Sequence, residues 1–73
     1  MPRGLVDLNA EALRTGREHA GFSVEDLSRR TGVEPATLRR IEDGPARQLR
    51  PATLRKLAQT LGVDPEQLSK GTA

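Results

Sequence analysis

The chain has no cysteine, tryptophan or tyrosine, and it has only one histidine and one phenylalanine. Without thiols it can form neither a disulfide framework nor a thiolate metal site, and a lone imidazole cannot build a nucleophile-and-base pair. We therefore expect no enzymatic activity, no metal and no cofactor. Apolar runs never exceed two residues, so the sequence shows no membrane span and no secretion signal. These absences favour a cytoplasmic protein with no membrane partner.

What the sequence does contain is a leucine-rich chain of nearly balanced charge. Its 73 residues allow one domain, and 34% hydrophobic residues with a single aromatic indicate an aliphatic, helical core. Twelve lysines and arginines stand against ten acids, for a net charge of +2. Any attraction to phosphate must therefore come from where the cations lie and not from the field of the whole molecule.

Helix start and stop signals recur along the chain at short intervals. Polar N-caps are expected at Asn9, Ser23 and Asp64, prolines open helices at Pro35 and Pro51, and glycines end helices at Gly21, Gly32, Gly44 and Gly62. The pattern predicts an all-α, compact five-helix domain over residues 9–69. Residues 1–8 are expected to form a flexible N-terminal arm, and residues 70–73 a disordered C-terminus.

Residues 23–44 predict two short helices joined by a tight turn at Gly32. Leu27 from the first helix and Leu38 with Ile41 from the second have the spacing of one shared core. An ordinary αα-hairpin would need the same apolar spacing. Two features favour a helix-turn-helix DNA reader. A residue with positive φ at Gly32 lets the second helix cross the first. The other face of that second helix carries arginines in place of a second apolar stripe.

The chain resembles a known family from about residue 9 to residue 68. The matching segments are Leu13-Arg14 with Arg17, Gly21-Phe22-Ser23, Asp26-Leu27-Ser28, Thr31-Gly32-Val33, Leu38 to Gly44, and Leu57-Ala58 with Leu61-Gly62-Val63. They resemble the helix-turn-helix domain of phage repressors and Cro, also called the xenobiotic-response-element type. The resemblance implies a repressor-like, nucleoid-associated transcription regulator that binds specific sequences of double-stranded DNA. It also implies a homodimer on a two-fold operator.

On the pattern of this family, a recognition helix at about residues 35–43 lies in the major groove. The reading positions fall on Pro35, Ala36, Thr37 and Arg40. Pro35 stands where a polar reader is often found and loses that base contact, whereas Arg40 can bind guanine O6 and N7 with two hydrogen bonds. The alternative for Arg40 is a phosphate contact or a solvated side chain. Arg39 points about 100° further round the helix, so we expect it to contact the DNA backbone.

Residues on either side of the recognition helix are expected to bind phosphates. Arg47, Gln48 and Arg50 lie in the loop beyond it, where the alternative is solvated loop charge. Val24 stands where many family members have a glutamine that binds a phosphate. That side-chain contact is lost here, so we expect the start of the second helix, at Ser23 and Val24, to bind phosphate through its backbone N–H groups.

Two further expectations concern structure and partners. The family resemblance implies that Arg17 and Glu42 form a partly buried ion pair, which would make Glu42 structural. Leu49 and the segment around Leu5 and Leu8 are candidates for a dimer surface, although covering the core is the commoner fate of such leucines. The alternative function is a protein-interaction module of repressor-like fold, such as an antitoxin or another partner-dependent regulator.

Overall fold

The computed structural model describes residues 4–44 and 48–70. Within these ranges the chain forms five helices and one two-stranded antiparallel sheet. The elements in chain order are β1 (Val6–Asp7), α1 (Ala10–His19), α2 (Val24–Thr31), α3 (Pro35–Asp43), β2 (Gln48–Leu49), α4 (Pro51–Leu61) and α5 (Pro65–Leu68). The predicted all-α, five-helix architecture is confirmed.

The helix ends lie where local side-chain chemistry predicts them. The Asn9 side chain accepts from the backbone N–H of Ala12 at 3.1 Å and so caps α1. Pro35 and Pro51 occupy first-turn positions of α3 and α4, where a missing N–H removes no helical hydrogen bond. At α5, Gln67 Oε1 accepts from the backbone N–H of Asp64 at 3.0 Å, as the sequence pattern predicted.

The core is a single aliphatic cluster to which every helix contributes. Its buried members are Leu8, Leu13, Leu27, Leu38, Ile41, Leu49, Leu54, Leu57, Ala58 and Leu68. Full burial of one such leucine or isoleucine side chain contributes roughly 1.5–3 kcal/mol. None of the helices in residues 4–44 and 48–70 is both long enough and apolar enough to cross a bilayer.

Residues 6–8, part of the arm expected over residues 1–8, pair with other segments of the chain. Val6 pairs with Leu49 and Asp7 with Gln48 in the two-stranded sheet. On the other side of β1, the backbone N–H of Lys70 donates to the Asp7 carbonyl at 2.9 Å. Three distant segments therefore satisfy one another's backbone groups, which holds residues 6–8 on the body. The proposed domain limits, 9–69 with a tail at 70–73, stay a prediction.

Leucines considered for a dimer surface are mostly part of the core. Leu8 is fully buried and forms a bridge with Ser69, and Leu49 is 8% exposed. Leu5, at 45%, is the exposed large hydrophobic residue within the described ranges. Leu8 and Leu49 therefore follow the alternative given with that expectation and cover the core, so neither is available to an intermolecular surface.

Candidate nucleic-acid interface

The turn between α2 and α3 is fixed by one glycine and one buried hydroxyl. Gly32 has a φ of 79°, in the left-handed region that favours glycine. A Cβ there would meet nothing within 4 Å, so backbone conformation and not space selects this glycine. The buried Thr31 hydroxyl donates to the Leu27 carbonyl at 2.7 Å and accepts from the Val33 N–H at 3.2 Å. These contacts set the direction in which α3 leaves the turn.

Helix α3 has one core-facing side and one solvent-facing side. Leu38 and Ile41 are buried against α1 and α2. Ala36 and Arg40 are exposed, and Thr37 is half-buried. These three of the four predicted reading positions therefore retain solvent access along one helix, which is the arrangement a major-groove reader needs.

The two adjacent arginines of α3 have different surroundings. Arg39 forms an ion pair with Glu25 of α2, and both side chains are about half exposed. The Arg40 side chain makes no hydrogen bond or ion pair with any residue in the described part of the chain. Its guanidinium therefore keeps all its donors available for an external acceptor.

The carboxyl-terminal end of α3 is held on α1 by a forked ion pair. Arg17 Nε donates to Glu42 Oε2 at 2.7 Å, and Arg17 Nη2 donates to Oε1 at 2.9 Å. The third guanidinium nitrogen, Nη1, donates to the Phe22 carbonyl at 2.9 Å. The pKa of Arg17 is raised above its ordinary value, mainly because the Glu42 carboxylate accepts hydrogen bonds from its guanidinium.

A second arginine, Arg14, lies on the solvent side of the same Glu42 carboxylate. Arg14 Nε lies 3.8 Å from Glu42 Oε1, and Arg14 Nη2 donates to the Glu42 carbonyl at 3.3 Å and to Asp43 at 3.4 Å. Only 4% of the Glu42 side chain is exposed. The structure thus brings together the two residues of the predicted pair and adds Arg14, which fixes the orientation of α3 from its far end.

The start of α2 uses its own side chains to satisfy backbone donors. Ser23 Oγ accepts from the Asp26 N–H at 3.0 Å, and Asp26 Oδ2 accepts from the Ser23 N–H at 3.1 Å. The pKa of Asp26 is lowered, chiefly by the Ser23 backbone N–H and next by the Ser23 hydroxyl. Val24 is half-buried and packs against the core. A valine side chain has no hydrogen-bond donor, so any contact of this residue with a phosphate would fall to its backbone N–H.

The predicted phosphate-binding loop is only partly within the described residues. Arg47 lies outside them. Gln48 lies in β2, and its Nε2 donates to Asp7 Oδ1 at 3.0 Å, so this amide already has a partner in the chain. Arg50 is exposed at the N-cap of α4. Of the two described residues, Arg50 is better placed to contact an external group, because the Gln48 amide already binds Asp7.

One residue at this surface was not singled out from the sequence. Glu25 lies in the first turn of α2 and reaches Arg39, 14 positions later in the chain. A contact across the turn depends on how α2 and α3 cross, and no local spacing rule predicts it. Within the described ranges no group of His, Cys, Asp or Glu has the arrangement of a metal site.

Comparison with known proteins identifies the class. A family model described as a helix-turn-helix domain matches residues 10–70, and the chain belongs to this family. The match confirms the resemblance drawn from the sequence. The chain is also 40% identical over 58 residues to the HTH-type transcriptional repressor RghR of Bacillus subtilis (strain 168). That alignment covers 80% of this chain and 43% of the relative, so the chain spans less than half the length of this curated protein.

Proposed function

We propose that this chain binds specific sequences of double-stranded DNA, with α3 in the major groove, and acts as a transcriptional repressor at the nucleoid. The observation that carries the proposal is the exposed Arg40 guanidinium, which has no partner among the described residues and lies on the solvent side of α3, opposite the buried Leu38 and Ile41. Membership of the helix-turn-helix family supports DNA binding, and the similarity to a protein named as a transcriptional repressor supports the direction of regulation.

Base reading and backbone holding fall to different residues in this proposal. Arg40 grips guanine through O6 and N7, while Ala36 and Thr37 contact a thymine methyl or donate one hydrogen bond. Arg50 binds phosphate at the start of α4, with Arg47 and Gln48 assigned to the same task from the sequence. Phosphate contacts set the register on the duplex, and the groove contacts supply the sequence preference.

A homodimer on a two-fold operator completes the proposal. Two copies related by two-fold symmetry would present α3 in successive major grooves on one side of the duplex. Since Leu8 and Leu49 belong to the core, a second copy must contact other parts of the body. The exposed Leu5 beside β1 is the apolar side chain we assign to that surface.

The decisive experiment selects bound sequences from random duplex DNA and then titrates the selected duplex and a scrambled duplex at several salt concentrations. If a dimer neutralises about 6–10 phosphates, affinity should fall by about 10³–10⁵ between 50 and 200 mM salt. The selected duplex should bind more tightly than the scrambled one at every salt concentration. Absence of binding at low salt, or binding indifferent to salt, would instead favour a module that recognises a protein partner.

A further inference from the structure

The Glu25–Arg39 ion pair lies on the surface assigned to DNA and contributes little to the fold. Glu25 is 54% exposed and Arg39 53% exposed, so water competes for both groups. Exposed ion pairs of this kind add little to stability. The consequence of the pair therefore depends on what else could bind Arg39 at this position.

The Glu25 carboxylate offers Arg39 the chemistry of a phosphodiester. Its pKa is lowered, first because its own backbone N–H donates to it and next because Arg39 does. The group is thus an anion that accepts from the guanidinium of α3. A DNA phosphate would be an oxyanion of the same charge seeking the same donors.

We propose that Glu25 is an internal competitor of DNA phosphate for Arg39, and that it lowers affinity for all sequences alike. This inference rests on the proposed DNA binding. In the free protein Arg39 is neutralised by Glu25, whereas Arg40 beside it has no partner among the described residues. Sequence-independent attraction is reduced, while the residue assigned to base reading is unaffected. The ratio of specific to non-specific binding is therefore unchanged, while both affinities fall.

The test is a set of variants that free Arg39 without changing its own side chain. Glu25→Gln should tighten binding about two- to fivefold on both a selected and a scrambled duplex, because Arg39 can then bind a phosphate from which Glu25 keeps it in the parent. The salt dependence should steepen by about one unit as Arg39 gains a phosphate. Arg39→Ala should then cost more affinity in the Glu25→Gln background than in the presence of Glu25.

Glu34→Gln is the matched control. It removes the same charge from the exposed N-cap of α3, where the side chain makes no capping hydrogen bond. Removing Glu34 leaves Arg39 paired, so the loss caused by Arg39→Ala should stay as it is in the parent. Glu25→Ala is a second replacement that removes the carboxylate. Thermal melts of each variant verify that every protein compared is folded.

The outcomes separate this inference from the proposal beneath it. A parent that binds duplex DNA, together with Glu25 variants that bind no tighter, would overturn the competitor role alone. The same conclusion follows if Arg39→Ala costs the same affinity in all three backgrounds. Failure of the folded parent to bind any duplex at low salt would overturn the proposed function itself and this inference with it.

Discussion

Among the glutamate–arginine contacts that connect α3 to its neighbours in the described part of the chain, Arg17–Glu42 and Glu25–Arg39 differ most in burial. Glu42 and Arg17 form a two-point contact with side-chain exposures of 4% and 13%. Glu25 and Arg39 meet at a surface where each is about half exposed. The residue types are the same, but only the first pair is shielded from water. Burial, and not the residue types, therefore decides whether such a pair stabilises the fold or is available to compete with a ligand.

Position on α3 strengthens this difference. The buried pair holds the carboxyl-terminal end of the helix, where Arg14 also contacts Glu42. The exposed pair reaches α3 in its middle, beside the proposed reading residue Arg40. One pair thus fixes the orientation of the helix, and the other tunes what its outer surface attracts.

The largest expected effect comes from breaking the buried pair. Glu42→Ala should cost on the order of 3 kcal/mol of unfolding free energy, because it leaves the shielded Arg17 guanidinium without its carboxylate and next to Arg14. That is a large share of the stability of a domain this small. Chemical denaturation of Glu42→Ala, with Glu25→Ala as the exposed counterpart, measures the contrast. Equal midpoints for the two variants would remove the distinction between the pairs.

Much of this architecture follows from local sequence signals. Ser23 with Asp26, Gly32 and the helix-opening prolines act within a few residues, so capping rules and turn conformation predict them directly. The Arg17–Glu42 contact spans 25 residues and came from the family resemblance, not from any spacing rule. Local chemistry therefore predicts the element bounds, while long-range contacts need a fold to refer to.

The features that the sequence did not predict have a common physical cause. Strands β1 and β2 are two residues each, too short for any alternating pattern, and their pairing joins segments about forty residues apart. Glu25 and Arg39 meet because α2 and α3 cross at the turn. Both features depend on tertiary geometry, which no local pattern in the sequence records.

The second prediction extends the comparison from pairs to single arginines. Arg40→Ala should reduce discrimination between selected and scrambled duplexes by roughly 1–3 kcal/mol, because one two-point base contact is lost. Arg50→Ala should weaken binding to both duplexes alike and lower the salt slope by about one unit. Titrations of the two variants on both duplexes decide between these roles. Equal losses on the two duplexes for Arg40→Ala would leave Thr37 and Ala36 as the side-chain readers.

The smallest expected effect tests a charged contact that is exposed and yet local to one helix. The pKa of Asp26 is lowered in the folded chain, first by the Ser23 N–H, so its ionised form stabilises the start of α2. Because the folded pKa lies below the unfolded one, this stabilisation is present above about pH 4 and is lost as the pH falls through the folded pKa. Asp26→Asn keeps an acceptor oxygen but does not titrate. It should be slightly less stable than the parent at pH 7 and lose less on acidification.

Thermal midpoints of the parent and Asp26→Asn at pH 7 and pH 3 provide the measurement. Ser23→Ala is the control, because it removes the hydroxyl but keeps the backbone N–H that is the largest single cause of the lowered pKa of Asp26. This variant should be destabilised at both pH values and retain most of the acid sensitivity. If Asp26→Asn loses as much stability as the parent between pH 7 and pH 3, ionisation of the capping carboxylate contributes nothing measurable to the fold. Asp26 would then resemble the exposed Glu25–Arg39 pair in adding little to stability. A smaller loss would show that exposure weakens a charged contact less when its donor is a backbone group already fixed in place.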